Sequence, residues 1–130
     1  MIARVFLGLQ ALLFIPYGLY CLVDPGLLSG GAGVQAITVT GTIELQTMYG
    51  GLQTSVGVLC ALAVVNAAYQ RIAMVALLFI FAGLAVPRVT LALMNGDFSG
   101  YTTFAMSFEA ASLVFLLWFL TRRGASPTAA

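Results

Sequence analysis

Read for polarity alone, the chain divides into four long apolar runs separated by three polar breaks. The runs cover residues of about 3–23, 43–68, 72–94 and 102–121. Each is close to the ~20 apolar residues that carry an α-helix across a bilayer. A Gly-rich loop from Asp24 to Gly41 follows the first run, a tight turn at Gln70-Arg71 follows the second, and Asn95-Gly96-Asp97-Phe98-Ser99-Gly100 follows the third. Gly, Asn and Asp are the residues turns favour. Within the first loop, Asp24-Pro25-Gly26 reads as a turn, Leu27-Leu28 suits a return to the membrane surface, and Ile37-Thr38-Val39-Thr40 alternates like a short strand. Residues 124–130 read as a disordered polar tail. The pattern predicts an all-α integral membrane protein, a four-transmembrane-helix bundle forming one domain over residues 1–130.

Composition removes the soluble alternative. Of 130 residues, 62% are hydrophobic and 7% charged, with a mean hydropathy of +1.07. A soluble domain carries roughly a quarter charged residues. The net charge of +1 includes no basic stretch able to follow a phosphate backbone, so nucleic acid is excluded as a partner. With no histidine, the usual general base and metal ligand is missing, and no metal or cofactor site is expected. Cys21 and Cys60 fall in different runs and read as buried, inert thiols. Arg4 before the first run resembles a signal-peptide start, but no small-x-small cleavage site follows, which favours an uncleaved span.

The arginines set the orientation. Arg4, Arg71, Arg122 and Arg123 fall on one side, whereas the opposite loops hold Asp24 and Asp97 and no basic residue. By the positive-inside rule both termini face the cytoplasm. Tyr17, Tyr20, Tyr101 and Trp118 stand near the boundaries, where aromatic anchors collect.

Three charges remain inside the runs: Glu44, Arg88 and Glu109. At a rise of about 1.5 Å per residue, Arg88 and Glu109 both lie roughly 10 Å below the outer boundary, with Gln53 level and Glu44 shallower. At 100° per residue, Thr102, Ala105, Glu109 and Ser112 form one stripe, and Arg88, Ala92 and Asn95 another. Gln10, Tyr17 and Asp24 line the first run. In the second, Gln46, Tyr49, Gly50, Gln53 and Gly57 share one face, and Leu45, Met48, Leu52, Val56 and Leu59 form a strip suited to lipid. The same phase puts Glu44 and Gln53 on opposite sides of that helix. Charges in hydrocarbon face a partner or a wet cavity, so Arg88 is expected to pair with Glu109, with Glu44 as a second acceptor. Pro87 is placed to kink the third span and widen the bundle. A purely structural reading stands beside the functional one: the pair fixes register, and Gly50, Gly51 and Gly57 permit close helix approach.

At "GLYCLVDPGLL", "IELQTMYGG", "PRVTLALMNGDF" and "FEAAS" the chain resembles DUF4345, a family of small bacterial membrane proteins catalogued as a domain of unknown function. Glu44, Tyr49, Gly50, Gly51, Arg88 and Glu109 match its pattern, while Gln46 stands where an arginine is usual. The resemblance implies four spans in a bacterial cytoplasmic membrane and no particular activity.

The leading functional expectation is a polar pocket in the outer half of the bilayer that binds a lipophilic small molecule. Glu109 is the acid/base candidate and Arg88 its partner or the ligand's anchor; Gln53, Tyr49, Glu44, Asn95 and Tyr17 are candidate ligand contacts. Isomerase, cyclase or hydrolase chemistry needs only placed acids and a dry cavity. The alternatives are a non-catalytic accessory subunit of a larger membrane complex, and a small dimeric proton-coupled exporter. The exporter would ordinarily need an acid where Gln10 and Tyr17 stand. Lipid is the expected surrounding partner, and a homo-oligomer stays open.

Overall fold

A computed structural model describes residues 1–124, and residues 125–130 of the expected tail lie outside the described residues. The described residues are helical, with no strand. They form α1 (Ile2–Val23), α2 (Leu27–Gly31), α3 (Val39–Leu45), a π-helical turn (Gln46–Gly51), α4 (Leu52–Val65), a 3₁₀ turn (Ala67–Tyr69), α5 (Gln70–Asn95) and α6 (Gly100–Gly124). Four helical stretches are long and apolar enough to cross a membrane: Ile2–Val23, Val39–Val65, Ala67–Asn95 and Gly100–Arg122. Their outward faces carry Leu12, Phe79, Phe104 and Val114, each at least two-thirds exposed. In water such faces would be a liability; in hydrocarbon they are solvated.

Three local expectations change. Residues 37–40 form no strand, because Thr38 is the N-cap of α3: its Oγ1 accepts from Gly41 N at 3.0 Å. A side-chain cap competes with extended pairing at just such a residue. The turn between the second and third spans sits earlier than Gln70-Arg71, since Asn66 Oδ1 accepts from Ala68 N at 3.0 Å and both Gln70 and Arg71 already belong to α5. Leu28, on the short α2, is buried while Leu27 faces outward.

The residues group into two compact units, Met1–Ala73 and a second from Met74 onward. In the first, α1 lies along the π turn and α4 at very close range. A Cβ on Gly50 would fall 2.8 Å from Leu22 N, one on Gly57 2.9 Å from Ile15 N, and one on Gly18 2.6 Å from Thr54 N. Side chains are excluded at these three positions by backbone, so the glycines are what lets the helices touch. Gly51 differs: a Cβ there meets nothing within 4 Å, so close packing is not its role. In the second unit, α5 and α6 pack through the edge-to-face pair Phe81–Phe108, with centroids 5.6 Å apart. Phe81, Met74, Leu77 and Leu116 are fully buried.

The π turn changes the phase of the second span. A π turn closes on the fifth residue rather than the fourth, as Leu52 N does on Thr47 O. One extra residue rotates everything beyond it by about 100° relative to an unbroken α-helix. Of the apolar strip read at α-helical phase, Met48 and Leu52 are exposed, Leu45 and Leu59 half-buried, and Val56 is buried.

Candidate functional site

The second unit holds the ion pair anticipated from phase and depth. Arg88 on α5 donates from Nε to Glu109 Oε1 and Oε2 on α6 at 3.0 and 2.9 Å, and its Nη2 stands 2.9 Å from Oε1. The Glu109 side chain is 6% exposed, that of Arg88 28%. Ser112, one turn on from Glu109, is buried as well. The carboxylate is thus engaged on both oxygens and sits behind the arginine.

Arg88 lines an open groove of about 510 Å³ with Gly83, Pro87, Leu91, Asn95, Asp97 and Thr102. That volume falls within the range of small-molecule sites. Its polar end is ordered by helix termini. Gly96 adopts φ +67°, and Asp97 N donates to Ala92 O at 3.1 Å, closing α5 with a left-handed glycine. Asp97 then accepts from Thr102 Oγ1 at 2.8 Å and from Ser99 N at 3.1 Å. These bonds, the Thr102 hydroxyl first, hold the Asp97 carboxyl below its ordinary range. Asn95, exposed at the same end, donates from Nδ2 to Leu91 O at 2.8 Å.

The deeper end is shaped by Pro87. Helix α5 runs through it without a break, but proline has no N–H to give to the carbonyl four residues back. That carbonyl belongs to Gly83, which is exposed and bears no side chain over it; a Cβ built there meets nothing within 4 Å. Neighbouring turns receive side-chain donors, Thr90 Oγ1 to Val86 O and Asn95 Nδ2 to Leu91 O. From sequence Pro87 reads as a kink, and α5 runs through it as one helix.

The other candidate residues belong to the first unit. Tyr17, Tyr49 and Gln53 are half-buried there. Glu44 faces outward on α3 and joins no ion pair among the described residues. Gln46 acts locally instead. Its Nε2 donates to Leu22 O at 2.8 Å, capping a carbonyl at the end of α1. Helix-end carbonyls lack intrahelical donors and must find them elsewhere in an apolar medium. Thr54 Oγ1 and Ser55 Oγ do likewise for the Gly50 and Gly51 carbonyls, at 2.8 and 2.9 Å. Gln10 is buried, with Oε1 lacking any hydrogen-bond partner among the described residues. A second cavity, of about 280 Å³, lies under the loop around Pro25, Ser29, Val34 and Thr42, away from any charged pair.

No curated protein and no solved structure matches the chain. A family model, Domain of unknown function (DUF4345), matches residues 2–120. With four membrane-length helices and the Arg88–Glu109 pair in place, the chain belongs to the DUF4345 family.

Proposed function

We propose that the groove of the second unit binds a lipophilic small molecule, with Arg88 as the polar group the ligand meets and Glu109 as the residue that positions Arg88. The observation that carries this reading is the placement of Arg88 between a buried carboxylate and an open groove. A charge is costly in hydrocarbon, and such charges collect where a cavity or ligand gives them a use. The two engaged oxygens of Glu109 favour a positioning role over that of the acid/base expected from sequence. The basic residues Arg4, Arg71 and Arg122 support a cytoplasmic placement of their own side. On that orientation the groove opens in the outer half of a bacterial cytoplasmic membrane.

Native mass spectrometry of the detergent-extracted protein tests the proposal. A small lipophile bound to the wild type should be lost from Arg88→Gln and Glu109→Gln variants whose helical content by circular dichroism is unchanged. Equal occupancy in all three proteins would sink it. The same spectra report oligomeric state and any stoichiometric partner, which is the outcome expected of an accessory subunit instead.

A further inference from the structure

We propose that the Arg122 end of α6 binds an anionic phospholipid. Arg122, held on the face of Trp118, meets the lipid phosphate, and an acyl chain lies along Val114 and Leu117. The site shares no residue with the groove and is built on α6 alone. The guanidinium carbon of Arg122 stands 4.8 Å from the centre of the Trp118 ring, inside the range over which a ring face attracts a cation. The two residues are four apart on one helix, so they share a face, and helical side chains lean back toward the N-terminus. Arg122 therefore carries its charge one turn inward, to the level of the indole. Tryptophan collects at the depth of lipid headgroups, and Trp118 lies one turn from the end of the membrane-length stretch Gly100–Arg122. Phe115 packs beside the indole, its ring centroid 5.9 Å from that of Trp118 and 6.1 Å from that of Phe119. Val114, Leu117, Trp118 and Arg122 are all exposed. One outward row thus passes from apolar surface to a cation held in place.

Charge selects the headgroup. No carboxylate among the described residues neutralises Arg122. The sequence holds four acids, Asp24, Glu44, Asp97 and Glu109. Glu109 is engaged by Arg88. Asp97 precedes the far end of α6, about 33 Å away at the helical rise per residue. Asp24 and Glu44 belong to the first unit, and Arg122 joins no ion pair among the described residues. A guanidinium is weakly hydrated and offers its donors in a planar fork that matches phosphate oxygens. A zwitterionic headgroup brings a second cation toward Arg122, whereas an anionic one brings only the charge that the arginine lacks. A phospholipid with a net negative charge is therefore the ligand that fits.

Native mass spectrometry of the full chain, delipidated in detergent, tests the site. The protein is titrated with phosphatidylglycerol and, separately, with phosphatidylcholine bearing the same acyl chains. In the wild type the first phosphatidylglycerol should bind about fivefold more tightly, the factor of one arginine at an anionic membrane surface. In Arg122→Gln that preference should fall to about one, with phosphatidylcholine binding retained. Arg4→Gln removes the same charge from α1 and should leave the preference at about fivefold. Trp118→Leu keeps the Arg122 charge but removes its platform, and should roughly halve the preference. Circular dichroism checks that the variants keep the helical content of the wild type. Equal binding of the two lipids by the wild type, a preference that survives Arg122→Gln, or an equal loss in Arg4→Gln overturns the site. An unchanged preference in Trp118→Leu overturns the role given to the ring.

Discussion

The two units of this chain solve the same problem, holding apolar helices together without a hydrophobic driving force between them, by opposite means. In Met1–Ala73 the contact is made by taking side chains away. Gly18, Gly50 and Gly57 bring backbone against backbone, and the neutral side chains of Gln46 and Thr54 donate to the Leu22 and Gly50 carbonyls. From Met74 onward the contact includes full charges, Arg88 and Glu109, beside a groove. Close glycine packing is a matter of shape and leaves little room for a ligand. A buried ion pair is costly to place, and here it holds a guanidinium at the wall of a cavity. The difference teaches where chemistry is to be sought: beside the feature that packing alone does not require.

The largest expected effect separates the pair from its parts. Arg88→Ala leaves Glu109 buried without its counter-charge and should destabilise the protein by about 3–5 kcal/mol. The double variant Arg88→Met/Glu109→Leu should recover most of that loss while abolishing ligand occupancy. Thermal unfolding in detergent, read beside native mass spectrometry, checks both. A double variant no more stable than Arg88→Ala would mean that the pair's importance lies elsewhere than in charge balance.

A smaller effect probes the first unit. Gly50→Ala forces a Cβ to within 2.8 Å of the Leu22 backbone and should cost about 1–3 kcal/mol as overpacking. Gly51→Ala, one residue on, meets open space and should be neutral or slightly stabilising. If the adjacent substitutions shift the melting temperature equally, glycine-mediated contact is not what holds α1 to the π turn.

The smallest effect concerns pH. Asp97 has its carboxyl lowered in the folded state by Thr102 and Ser99. Its contribution is therefore present above the unfolded carboxyl value and is lost as pH falls through the lower folded one. Acid titration of wild type against Thr102→Val should show a slightly steeper loss of stability for the wild type in that acidic window. Superimposable curves would remove Asp97 from the account of how the groove's polar end is ordered.

Much of the architecture is legible in the sequence because its signals are local. Span lengths follow from apolar runs, and the meeting of Arg88 with Glu109 follows from depth and phase on two regular helices. The departures share a cause, a local backbone device that periodicity does not register. Ile37 to Thr40 alternates like a strand, yet a single hydroxyl at Thr38 caps a helix there. The lipid-facing strip read at constant α-helical phase breaks at Val56, which is buried beyond the π turn at Gln46–Gly51. Gln46 caps the end of α1.

By itself the sequence determined four membrane-length helices, the exclusion of metal-ligand histidines, and the pairing of two opposite charges at one depth. These depend on composition and on periodicities that a chain expresses wherever it folds. Only the tertiary structure decided which glycines carry contacts, where the helical register slips, and that Glu109 is covered while Arg88 borders a groove.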